Sequence, residues 1–203
     1  MSTVWTGLRR RAASPAAIAA DLVRLVAVVC IPIAGFGWEP IDALSLTVVT
    51  ASMLVPRLMN VRAGLDLAYC VVALVAAWSA VLDLYKTVDW WDIPMHFLLN
   101  GLVAAVCVLI LVRTRVIADP ADAPRPVLAA VMVTAGAGLS LAVGWEVFEW
   151  AAKTWIDPTM HVGYTDTIGD FVFGFLGSVT AGLAYPAFAM RPHDAEVTRS
   201  RSA

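Results

Sequence analysis

The stretch Asp89-Trp90-Trp91-Asp92-Ile93-Pro94-Met95-His96-Phe97-Leu98-Leu99-Asn100 sets carboxylates, an imidazole and an amide at the entrance to a long apolar run. With Ile93 to Val112 helical, Asp92, His96 and Asn100 fall at i, i+4 and i+8, one polar stripe on one helix face. A carboxylate one turn from an imidazole can share a metal ion with it, or orient it as a base. Two later stretches carry the same kind of group. Trp145-Glu146-Val147-Phe148-Glu149-Trp150 closes one apolar run with carboxylates at i and i+3. Asp166-Thr167-Ile168-Gly169-Asp170 opens the last run with carboxylates at i and i+4. The expectation is that these three pieces meet.

Several of these residues have plainer readings. Asp92 precedes Ile93-Pro94, close to an N-cap followed by proline in the first turn. Thr165 or Asp166 can cap the last helix, where an acidic first turn is electrostatically favoured. Glu149 can pair with Lys153 one turn on, and His96 can be a hydrogen-bonded packing residue. His161 reads as a loop residue, and with Tyr164 it could cover the site. Two carboxylates near a helix C-terminus oppose the helix dipole and call for compensation. Glu146 and Asp170 lie deeper, where an ionisable group inside a membrane bundle is a functional candidate because its burial is costly.

The expected metal ligands are therefore Asp92, His96, Glu146, Glu149, Asp166 and Asp170. Asp92, His96, Glu146 and Asp170 form the expected catalytic set, Asn100 supports them, and Asp83 and Asp89 are weaker candidates at the rim. One imidazole among many oxygens suits a divalent or di-metal site of magnesium, manganese, calcium or iron better than structural zinc. Carboxylate-rich metal sites are known inside helical bundles. Such a metal can activate water for attack on a phosphoryl or acyl centre. Without metal, the same residues can relay protons or hold a cationic substrate, with protons shared among the carboxylates.

Composition decides the class of molecule. The chain has 203 residues, 60 % hydrophobic and 15 % charged, with mean hydropathy +0.78. A soluble domain of this size carries about 25 % charge, so the expected fold is an all-α polytopic membrane protein. Cys30, Cys70 and Cys107 sit in separate apolar runs and read as buried small hydrophobes rather than disulfide or zinc partners. No cleavable signal is expected, and the first apolar run reads as a permanent span.

Six runs approach the roughly 20 residues that cross an apolar layer of about 30 Å. They are 22–38, interrupted by Pro32 and Gly35; 40–58, short, more polar and containing Pro56; 65–82; 93–112; 127–150; and 168–190. Residues 1–20 form an N-terminal segment, an amphipathic lead-in with Trp5 and Leu8 beside Arg9 to Arg11 or a tail. Residues 21–190 form a compact bundle of six transmembrane helices, and 191–203 a C-terminal tail. Gly136, Gly138 and Gly144 mark a face for close helix contact or a bend in the fifth run, and Gly174 and Gly177 mark a close-packing face, within the chain or between copies. With six spans and the amino terminus inside, twelve of the 14 basic residues lie inside, and only Lys86 and Lys153 outside. Both termini are thus expected to be cytoplasmic. The same topology puts Asp83, Asp89, Asp92, His96, Glu146, Glu149, Asp166 and Asp170 on the outer side, at the level of a belt formed by Trp90, Trp91, Trp145, Trp150 and Trp155.

The motifs from Trp90 to Phe97, Gly144 to Trp150 and Gly163 to Asp170 together resemble the YjdF-like family of uncharacterised bacterial inner-membrane proteins. The resemblance covers about Asp83 to Gly182 and implies a multi-pass location in the bacterial inner membrane. More remotely, the motif order resembles VanZ-like membrane proteins, linked in one branch to glycopeptide resistance. Their first motif matches Asp92 and His96. The second matches Glu146 and Glu149 less well, and the third loosely matches Asp166, Asp170 and Gly177. An envelope and lipid context is what these resemblances imply.

Three functions follow as expectations. The first is an outward-facing site that binds a divalent metal and hydrolyses or transfers a polar or phosphorylated lipid head group. The second is a proton- or cation-coupled transporter or lipid-translocating protein, which the sparse charges of the inner half disfavour. The third is a structural or sensory scaffold whose polar cluster only binds helices together. Membrane lipids are the expected partners. Nucleic acid is not, since the arginines are dispersed and form no basic recognition surface.

Overall fold

In the computed structural model, residues 14–156, 158 and 162–189 are described. Trp5, Leu8, Arg9 to Arg11, His161 and the tail beyond 189 lie outside them. The described residues form helices and no strand: α1 (Pro15–Gly37), α2 (Pro40–Ser52), α3 (Leu54–Leu58), α4 (Ala63–Val81), α5 (Leu84–Thr87), α6 (Asp92–Arg113), a 3-10 turn at Pro120–Asp122, α7 (Pro126–Trp155), α8 (Tyr164–Leu183) and α9 (Tyr185–Phe188). Five stretches are long and apolar enough to cross a membrane: Pro15–Gly37, Pro40–Leu58, Ala63–Val81, Asp92–Arg113 and Pro126–Trp155. The run expected as the sixth span is α8, which has the length (20 residues). Its two aspartates and four glycines keep its hydropathy below that of the others.

The ends of these helices follow local chemistry. Proline stands at the first position of α1, α2 and α7, where its missing N–H has no helical partner to lose. The Ser14 hydroxyl accepts from the Ala17 amide at 3.2 Å and caps α1. α1 runs on as one helix through Pro32 and Gly35 to Gly37, so neither residue ends it. The weak second span instead breaks at Met53, between α2 and α3. α7 extends to Trp155 rather than ending at Trp150.

The surface is the reverse of a soluble protein's. Leu25, Val29, Phe36, Leu44, Val48, Met132 and Val147 all stand exposed, an apolar coat that lipid would cover. The interior is built from small residues, among them Ala27, Ala34, Cys70, Ala73, Ala104 and Ala105. All three cysteines are free.

α8 is wedged between α6 and α7 by glycine. A Cβ on Gly177 would lie 1.9 Å from the Phe97 carbonyl oxygen of α6, and one on Gly138 of α7 would lie 1.9 Å from the Ser178 hydroxyl. Gly182 backs onto Val131 of α7 in the same way. Gly136 and Gly144, expected at helix contacts, meet nothing within 4 Å. Gly177→Ala is therefore expected to destabilise the protein by about 1–3 kcal/mol, the usual range for overpacking. The obstacle is backbone and cannot rotate away. Thermal unfolding in detergent checks this, with Gly144→Ala as the neighbour that stays near the parent.

A second polar feature was not expected. Arg24, Asp66, Asp21 and Arg57 form one ionic network between α1, α3 and α4. The Arg24 guanidinium binds the Asp66 carboxylate, the Asp21 carboxylate at 3.0 Å, and the Met53 carbonyl at 3.0 and 2.9 Å. Arg57 pairs with the other side of the arrangement through Asp21. Arg24 and Asp66 are both buried. The Met53 carbonyl is available because the helix breaks there.

Candidate functional site

The end of α4, the start of α6, the end of α7 and the start of α8 lie together at one end of the bundle. The Trp91 indole N–H donates to the buried Ser79 hydroxyl of α4 at 2.8 Å, which fixes where α6 begins. The N-cap position of α6 is Trp91, with no side-chain cap bond. Asp92 is thus the first helical residue, and the capping role considered for it is not the one it plays. Its carboxylate is engaged one turn on: His96 Nε2 lies 3.1 Å from Asp92 Oδ1 and 3.5 Å from Asp170 Oδ1. One ring nitrogen therefore faces both carboxylates. Protonated, it bridges them; bare, it is a ligand atom aimed between them.

Asp170 joins a second group. Asp92, His96 and Asp170 can each offer a ligand atom within 4.8 Å of the others, and so can Glu146, Glu149 and Asp170. Side-chain exposure falls from 26 % at Asp92 through 17 % at His96 to 7 % at Asp170, so the site deepens from rim to interior. Glu146 is 7 % exposed, and its Oε2 is buried with no hydrogen-bond partner among the described residues. Lys153, expected as the partner of Glu149, instead donates to the Val162 carbonyl at 2.7 Å and makes no ion pair with Glu149 among the described residues. The extension of α7 to Trp155 also moves both glutamates off the helix terminus, where the dipole acts. The compensation they need follows from burial.

Below the carboxylates, the Asn100 amide nitrogen is buried without a partner among the described residues. It occupies the space left by Gly174, where a Cβ would lie 2.3 Å from Asn100 Nδ2. The amide expected as support thus sits directly under the site. Asp166 joins neither group, although it precedes Asp170 by one turn. The cap of α8 is Gly163 rather than Thr165 or Asp166. Tyr164 is 85 % exposed and does not cover the site. Asp83 pairs with Lys86 at 2.9 Å, and Asp89 is exposed; neither reaches the ligand groups.

Tyr85 was missed by the sequence reading. Burial pushes its hydroxyl above the ordinary tyrosine range, and the Asp92 and Glu149 carboxylates add to that push. Its hydroxyl donates to the Ala76 carbonyl at 3.3 Å, which ties α5 back to α4 beside the site. A single tyrosine in a short polar connection gave no spacing signal.

These three motifs share one stretch of sequence with a known family. A family model described as "Predicted membrane protein (DUF2238)" matches residues 14–191. The chain belongs to that family. The match contains every residue of the site and agrees with the resemblance to YjdF-like membrane proteins. No curated protein and no solved structure matches the chain. As a DUF2238 member it is a membrane protein with several apolar helices, and the acidic and histidine side chains at one end of its bundle could hold a metal ion.

Proposed function

We propose that this is a six-span inner-membrane protein with both termini in the cytoplasm. In this reading its outward-facing carboxylate–histidine site holds a divalent metal and hydrolyses or transfers a polar or phosphorylated lipid head group. The observation that carries the reading is the contrast between the two buried ionic clusters. The network of Asp21, Arg24, Arg57 and Asp66 balances two carboxylates with two guanidinium groups. Asp92, Glu146, Glu149 and Asp170 gather four carboxylates with His96 as the basic group between two of them, and leave Glu146 Oε2 unpartnered. A scaffold needs only the first kind of cluster. Buried carboxylates without counter-charge are strongly disfavoured, and a hard divalent cation supplies that charge with oxygen ligands.

In this reading Asp92, His96, Glu146, Glu149 and Asp170 are the ligand set. Asp92 and His96, nearest the rim, would hold the metal where an incoming nucleophile arrives, and a bound metal would supply Lewis-acid polarisation of a phosphoryl oxygen and lower the pKa of an attacking water. Asp166 stays a candidate only as a charge near the mouth.

Cation- or proton-coupled transport is favoured by one observation. Asn100 Nδ2 and Thr134 Oγ1 are buried and unpartnered deeper in the bundle. The tight contacts of Gly177 with Phe97 and Gly138 with Ser178 oppose it, since they close the interior below Asn100. Reconstitution in vesicles of bacterial phospholipids separates the readings. Metal-dependent release or transfer of head groups, abolished by chelator and by Glu146→Gln, is the expected outcome. Cation-driven flux with unaltered lipids would overturn it.

A further inference from the structure

Among the described residues, the two ligand groups share Asp170 alone, and the five side chains do not form a single group within one ion's reach. Ligand atoms on one ion can lie no farther apart than about twice a metal–oxygen bond of roughly 2.0–2.6 Å. One ion therefore cannot engage all five side chains as they stand, whereas two neighbouring ions can.

Resting on the metal-binding reading above, we propose that the site is dinuclear, with Asp170 as the bridging carboxylate. Asp92 and His96 complete one position, and Glu146 and Glu149 complete the other. The second, independent pointer is the partnerless Oε2 of Glu146, more than nine-tenths buried in the second position. That position has only oxygen donors and suits magnesium, calcium or manganese. The first adds an imidazole nitrogen, which broadens it toward manganese, iron and zinc. Manganese suits both. A pair of hard cations about 3.5–4 Å apart clamps the attacking and leaving oxygens of an in-line displacement. The ligand class this site would take is therefore a phosphate ester, presented from the outer leaflet.

Equilibrium dialysis of the full chain in detergent against Mn2+ tests this, with His96→Gln, Glu146→Gln and Asp170→Asn alongside. Two Mn2+ per chain are expected in the parent, one in His96→Gln, one in Glu146→Gln and none in Asp170→Asn. The electron paramagnetic resonance spectrum of the loaded parent gives a second readout that needs no variant. An exchange-coupled pair is expected in place of the six-line pattern of isolated ions. One Mn2+ per chain with an isolated-ion spectrum would overturn the dinuclear site and leave the metal-binding reading standing. No binding at all would overturn both. Loss of all binding in both single-position variants, with each still monodisperse, would mean one merged site and likewise overturn the proposal.

Discussion

Arg24→Leu is expected to lower the stability of the protein by about 3–5 kcal/mol, the range for removing one partner of a buried ion pair. The guanidinium satisfies Asp66, Asp21 and the Met53 carbonyl together. Its loss strands Asp66, which is only 7 % exposed, and leaves the carbonyl at the α2–α3 break without its donor. Arg57 still holds Asp21, so the harm centres on Asp66. The pairing predicts a rescue. Arg24→Met with Asp66→Leu removes both charges, and replacing a buried pair by apolar groups of similar volume is often neutral. Thermal unfolding in detergent reads both variants. A mild effect from Arg24→Leu alone, or no recovery in the double variant, would show that the network is not what joins α1, α3 and α4.

The second large effect has opposite signs in two conditions. Glu146→Gln and Asp170→Asn are expected to raise stability by about 0.5–2 kcal/mol in chelator, as relief of a site kept for function does. In saturating Mn2+ the order reverses. A parent holding metal at 100 times its dissociation constant gains about 2.7 kcal/mol per site; Glu146→Gln keeps only the gain of its one remaining site, and Asp170→Asn gains nothing. Unfolding temperatures with and without metal give the comparison directly. If both variants are destabilised equally in the two conditions, the carboxylates serve packing and the scaffold reading gains.

Much of this site was legible in the sequence because helical spacing is rigid. Asp92 and His96 stand one turn apart whatever their neighbours do, and the basic residues alone collect the three motifs at one end. What spacing could not tell was depth. Asp166 and Asp170 share a face one turn apart, yet only Asp170 enters the ligand groups. That choice depends on how far α8 slides along α6, which the contact of Gly177 with the Phe97 carbonyl fixes. Partner choice was equally hidden. Glu149 and Lys153 have ideal spacing for a pair, but the lysine turns to Val162 across the loop. Arg24 and Asp66 are 42 residues apart, and nothing local in either helix marks them as partners. The hydropathy of α8 misleads for a related reason: Asp170, Gly174, Gly177 and Gly182 serve contacts inside the bundle, and only the rest of the helix needs to be apolar.

The central claim is that the Asp92, His96, Glu146, Glu149 and Asp170 cluster is a cation site. Element-resolved metal analysis of the detergent-purified full chain after mild dialysis tests it most directly, beside a Glu146→Gln/Asp170→Asn variant that remains monodisperse. Divalent metal in whole-number ratio to the parent chain, and absent from the variant, is the predicted result. A parent that retains no metal and rebinds none on titration, or a variant that holds as much as the parent, would contradict it.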